Sequence, residues 1–105
     1  MLPTVDKNFF DMREDNIEQA ARALKAMAHP LRLKILCVIG DNELPVMEIV
    51  NKVGTTQSNV SQHLDILREK GIVVSRREGS KILCRVKSKE ILELMAAMQQ
   101  TFCPS

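Results

Sequence analysis

The sequence predicts a mainly α fold with a small β-hairpin, a winged helix-turn-helix running helix, helix, helix, helix, strand, strand, helix. Three observations predict it. Apolar residues recur at helical spacing in five segments broken by Gly, Pro or turn residues. Two short helical segments, 46–53 and 57–70, are joined by a turn that contains Gly54. Two alternating segments, 72–77 and 82–87, then flank Glu78-Gly79-Ser80. With 105 residues, 45% of them hydrophobic and 27% charged, the chain is sized for one domain spanning 1–105.

Each element has its own local reason. Residues 1–14 read as an arm with no clear period, although Leu2, Val5, Phe9 and Phe10 are apolar. Asp15 or Asn16 suits an N-cap, and Ile17, Ala20, Ala21, Leu24 and Met27 follow helical spacing, so the first helix is expected at 15–27. Ala28-His29-Pro30 breaks it, and proline fits the first turn of a second helix, 30–39, ended by Gly40. Leu31, Ile35, Leu36 and Ile39 give that helix its inward face. Pro45 opens the third helix and Gly54 closes it. Thr55 or Thr56 caps the fourth, whose inward stripe is Val60, Leu64 and Leu67, and Gly71 ends it. Gly79 supplies the positive φ that a tight hairpin needs. Ser88 caps the last helix, 89–102, with Glu90 and Glu93 near its positive end and Ile91, Met95, Met98 and Phe102 in one apolar stripe.

Composition excludes several classes. No apolar run approaches the ~20 residues of a membrane span, so no membrane partner is expected. Three cysteines are too few for a disulfide scaffold. Their odd number, with an opening Met1-Leu2-Pro3-Thr4-Val5-Asp6 unlike an export signal, points to a reducing cytoplasm. The net charge of +2 is uninformative, but its distribution is not. Residues 21–40 carry four basic side chains and no acid, and residues 72–87 carry five against Glu78 alone. These blocks are candidates for a phosphate-facing surface.

Removing the inward stripe from the fourth helix leaves Gln57, Ser58, Asn59, Ser61, Gln62 and His63 in its N-terminal half. Exposed helix surfaces usually carry Glu, Lys and Arg for propensity and solubility. A run of short or planar polar groups is instead suited to base edges and phosphates. Together with the preceding short helix, these residues predict a recognition helix for double-stranded DNA. The wing adds Arg76, Arg77 and Lys81, with Arg85 and Lys87 behind, and such a tip can enter or straddle a minor groove. The same charges also protect an edge strand from pairing. No Cys–His–acid grouping is apparent, and the sequence predicts a binding protein and not an enzyme.

Three segments resemble one family. Ala28-His29-Pro30-Leu31-Arg32-Leu33-Lys34-Ile35-Leu36 resembles the opening signature of the ArsR/SmtB repressors. Gln57-Ser58-Asn59-Val60-Ser61-Gln62-His63-Leu64, with Leu67-Arg68-Glu69-Lys70-Gly71-Ile72-Val73, resembles that family's recognition helix and strand entry. Arg76-Arg77-Glu78-Gly79 resembles its wing. The resemblance implies a homodimeric transcriptional repressor whose helices at 15–27 and 89–102 form the dimer interface. Two recognition helices would then reach successive major grooves of a palindromic operator, about 34 Å apart.

The resemblance also bears on the effector. The family's metal sites use a Cys-x-Cys pair near the third helix or spaced Asp, His and Glu on the last one. Here Leu44-Pro45-Val46-Met47-Glu48 has no thiol, and 88–103 has no His or Asp, so no metal and no cofactor is expected. Cys37 in the second helix and Cys103 at the chain end resemble the cysteine pair of the family's sulfur- and redox-sensing branch, the BigR and HlyU type. In that branch the pair forms a disulfide or polysulfide bridge that weakens operator binding, which implies an oxidant or reactive sulfur species as effector. Inert packing is the alternative reading of both cysteines, with a metal at a novel site or a small molecule as effector, or none. Cys84 reads as a small inward hydrophobe of the wing, and His29 as a structural residue at a helix start.

Overall fold

The computed structural model describes residues 13–103. Its elements are α1 (Glu14–Met27), α2 (Pro30–Ile39), β1 (Leu44–Pro45), α3 (Val46–Val53), α4 (Gln57–Glu69), β2 (Val73–Glu78), β3 (Lys81–Val86) and α5 (Lys89–Phe102). The order is the expected one with one addition, the short strand β1. Most of the expected arm lies outside the described residues.

Local chemistry accounts for most boundaries. His29 caps α2 through Nδ1, which accepts the Leu31 N–H at 3.1 Å, and Pro30 occupies the first helical position. Thr56 Oγ1 accepts the Asn59 N–H at 3.1 Å and starts α4, so Thr56 is the cap and Thr55 is not. Ser88 does the same for Ile91 at the head of α5. The expected cap of α1 at Asp15 or Asn16 is corrected. The helix begins one residue earlier, with Arg13 at the N-cap and no side-chain cap bond. Gly54, at φ 83°, ends α3 in the left-handed region that a side chain would disfavour.

The core is built where the helical stripes meet the sheet. Ile35, Leu36 and Ile39 of α2 are buried together with Ile49, Val50 and Val53 of α3 and Val60, Leu64 and Leu67 of α4. Ile72, Val73, Cys84 and Val86 close it from the sheet side. Burial of this kind stabilises by about 25 cal/mol per Å² of apolar surface. The sheet is antiparallel, in the order β1-β3-β2. Glu78 pairs with Lys81 across a two-residue turn, and Leu44 pairs with Cys84. β1 escapes the sequence pattern because two residues cannot show a period, and Pro45 is tolerated because β1 is an edge strand.

The outer helices are different. Only Ala26 and Met27 of α1 are buried, and α5 buries no residue. Ile91, Leu92 and Met95 rest on the core while Leu94 and Phe102 face out, Phe102 at 74% exposure. Ile17 and Leu24 of α1 are also exposed. Among the described residues the apolar stripe of α1 is thus left largely uncovered, and that of α5 uncovered in part. No described helix is long and apolar enough to cross a membrane.

Candidate DNA-reading face

The start of α4 projects its polar row because the opposite stripe is locked into the core. Val60, Leu64 and Leu67 have no exposed surface, which fixes the helix's rotation. Gln57, Ser58 and Gln62 are exposed as a result, and Ser61 is half-buried. Asn59 is partly withdrawn, since its Nδ2 donates to Thr55 Oγ1 at 3.3 Å. His63 is withdrawn further. Its ring stacks on His29, centroids 4.7 Å apart, and its Nδ1 has no contact with solvent. His63, expected in the reading row, is half-buried and has one face of its ring on α2. Position 63 lies just far enough round the helix to turn toward α2. Burial first, then repulsion between a protonated His63 and its neighbours His29 and Arg32, hold the His63 pKa below the ordinary imidazole value.

The wing's charges divide into two groups. Arg77 and Lys81 are exposed and form no ion pair among the described residues. Arg76, expected with them, is held inside the chain. Its Nε and Nη2 donate to both carboxylate oxygens of Glu43 at 3.0 and 2.7 Å, and Nη1 lies 3.0 Å from Glu78. The bidentate hydrogen bonds from Arg76 hold the Glu43 carboxyl below the usual carboxylate range. Arg76 thus ties β2 to the loop after α2, and its charge is compensated before any DNA arrives. Arg85 turns back on the Val86 and Lys87 carbonyls at 3.4 Å.

A second joint links α4 to the wing, and the sequence did not announce it. Arg68 Nε donates to Ser75 Oγ at 2.7 Å, Nη1 to Asp65 at 2.7 Å, and Nη2 reaches Cys84 Sγ at 3.5 Å. Ser75 Oγ and Cys84 Sγ are 3.2 Å apart. Cys84 is buried as expected, but it packs against polar atoms as well as apolar ones. The i,i+3 spacing of Asp65 and Arg68 was the available signal. The partners on β2 and β3 required the fold.

Of the three thiols, Cys37 on α2 and Cys103 after α5 are exposed, and Cys84 is buried. Among the described residues no group of three His, Cys, Asp or Glu side chains could hold a metal ion.

The comparisons with known proteins agree with this geometry. The sequence profile of the bacterial regulatory protein arsR family matches residues 29–75, from the cap of α2 into β2. The solved structure of HlyU from Vibrio cholerae superposes with a TM-score of 0.81 at 37% identity, covering 87% of this chain and 99% of that one. The biofilm growth-associated repressor of Xylella fastidiosa is 34% identical over 86% of this chain and 79% of its own length. A homodimeric winged helix-turn-helix DNA-binding domain of Mycobacterium bovis, Mb0332, gives a TM-score of 0.77 at 27% identity, covering 95% of this chain and 89% of that one. A capped polar reading helix, a wing beside it and relatives that match over most of their length lead to one conclusion. The chain belongs to the ArsR family of winged helix-turn-helix transcriptional regulators, which are DNA-binding proteins and not enzymes.

Proposed function

We propose that this chain is a homodimeric repressor, acting in the cytoplasm on a palindromic operator, whose affinity is lowered when Cys37 and Cys103 are oxidised or bridged by sulfur. The observation that carries the DNA-binding part is the exposed row Gln57, Ser58, Ser61 and Gln62 on a helix whose rotation the core fixes. These side chains read base edges, with Asn59 at the margin, while Arg77 and Lys81 contact phosphates or the minor groove. The uncovered apolar faces of α1, within 15–27, and of α5, 89–102, support dimerisation of the domain through these helices. The homodimeric M. bovis domain supports the same assembly.

The thiol part is supported by exposure. Cys37 and Cys103 are accessible to a soluble oxidant or polysulfide, while Cys84 is not. A direct disulfide releases two protons and two electrons to the oxidant and needs Cα atoms within about 7 Å. An inserted sulfane sulfur from an organic polysulfide spans a longer gap. The direction of regulation rests on the repressor from X. fastidiosa.

The test is fluorescence anisotropy with the chain's own upstream promoter, using reduced protein, protein treated with organic polysulfide, and treated protein returned to dithiothreitol. Loss of affinity with recovery supports thiol sensing. Unchanged tight binding leaves a repressor with inert cysteines and another effector. Cys37→Ser and Cys103→Ser are each expected to bind normally and lose the response. A response that persists in either sinks the two-thiol mechanism.

A further inference from the structure

The contact between His29 and His63 joins the cap of α2 to the reading helix, and no part of the proposed DNA contact uses it. His29 Nδ1 accepts the Leu31 N–H at 3.1 Å, an acceptor role that only an Nδ1 without a proton can fill. His63 follows Gln62 directly on α4, and its ring lies against His29 with the planes tilted by 38°. Arg32, one turn into α2, completes the cluster. Both His63 Nδ1 and Arg32 Nε are shielded from solvent and have no hydrogen-bond partner among the described residues.

The surroundings of His63 favour neutrality. On this side His63 faces the cap residue His29 and the cation Arg32, and α2 holds no carboxylate to offset a charge on His63. α1, α3 and β2 also pack on α4; their ion pairs include Glu18–Arg22, Glu48–Lys52 and Arg76 with Glu43, while Glu14, Lys25 and Arg77 have none among the described residues. Protonation of His29 at Nδ1 would place a second donor against the Leu31 N–H and break the cap. Protonation of His63 would add a second positive group beside Arg32 in one confined space. Two like charges in such a place repel strongly.

We propose that His29 and His63 form a proton-sensitive brace that positions the reading helix. Neutral rings hold α4 against the head of α2, and proton uptake releases that hold, so that discrimination between operator and other DNA falls. The inference rests on the DNA-reading conclusion above. Non-specific affinity depends on phosphate contacts by the wing and is left largely intact.

Proton linkage gives the sign. A histidine whose folded pKa is depressed is neutral in the fold and charged in the unfolded chain below about pH 6.5. The unfolded state therefore binds more protons there, and stability falls as pH drops from the ordinary histidine value toward the depressed one.

Two measurements test the brace. The first uses a duplex selected in vitro at about pH 8 and a scrambled duplex of equal composition, titrated by anisotropy at fixed ionic strength down to about pH 5. The full-length wild type is expected to lose about tenfold in the ratio of the two affinities, on the scale of one good base contact. His29→Asn keeps a cap acceptor but cannot take up a proton, and its ratio is expected to stay flat. A flat wild-type profile, or an equal slope in His29→Asn, overturns the proposal. The second measurement needs no DNA. His29 and His63 are the only histidines, so two imidazole signals can be followed by NMR. The His63 signal is expected to titrate below the ordinary range in wild type and to move toward it in His29→Asn. Two signals titrating independently at ordinary values overturn the brace. If selection yields no preferred sequence, the DNA-reading conclusion fails, and the NMR titration alone decides whether the brace exists.

Discussion

Gln62 and Arg77 should fail in different ways when truncated, because the proposal assigns base edges to one and phosphates to the other. Gln62→Ala is expected to change sequence preference, with a loss of about 1–3 kcal/mol at the base pair it contacts. Arg77→Ala is expected to weaken binding to all duplexes alike and to lower the salt slope by about one unit. Competition binding at several salt concentrations separates the two, and unchanged discrimination in Gln62→Ala removes it from the reading set. Arg76→Ala should behave unlike Arg77→Ala. Glu43 and Glu78 already neutralise Arg76, so its loss should disturb the wing's position and leave the salt slope nearly unchanged. At this scale the sequence was only half legible. It marked a polar row on α4, of which Gln57, Ser58 and Gln62 are exposed. It could not show that Asn59 folds back on Thr55, that His63 leans on His29, or that Arg76 is occupied, because each depends on a few degrees of helix rotation or on a partner far along the chain.

The helices were legible almost to the residue. α2, α3 and α5 begin and end where Pro30, Gly40, Gly54 and Ser88 placed them. Those boundaries are set by local backbone chemistry, which a sequence displays directly. Thr56 offers a direct check on that account. Thr56→Ala removes the acceptor for the Asn59 N–H and is expected to cost about 1 kcal/mol of stability, measured by urea unfolding. Thr55→Ala should cost less, as its hydroxyl receives only a side-chain bond. Deeper in the same helix, Leu64→Ala leaves a cavity in the core and is expected to cost about 2–5 kcal/mol. What the sequence concealed at this scale is β1 and the Arg68–Ser75–Cys84 joint. Both are cross-chain pairings, and neither has a local period to betray it.

The whole molecule is a well-packed centre between two helices whose apolar faces look outward. Ile17 and Leu24 on α1, with Leu94 and Phe102 on α5, are large apolar side chains left exposed, the kind of surface that marks an interaction site when it is contiguous. The proposed dimer covers it. Leu24→Lys is expected to shift the sedimentation coefficient from dimer to monomer while the far-ultraviolet circular dichroism of the fold remains. The monomer should then lose most operator affinity, since each half-site is held by one reading helix alone. An unaltered sedimentation coefficient would move the interface away from α1.

Cys84 gives the chain a use that has nothing to do with sensing. The sequence has no Trp and no Tyr, so unfolding has little intrinsic fluorescence to report it. The thiol beneath the wing, held by Ser75 and Arg68 and closed to solvent, fills that gap. A thiol reagent meets two exposed cysteines at once and the third only when the core opens. In a variant with Cys37 and Cys103 both replaced by Ser, the slow modification rate counts opening events. With rapid reclosing it reads out the free energy of opening directly.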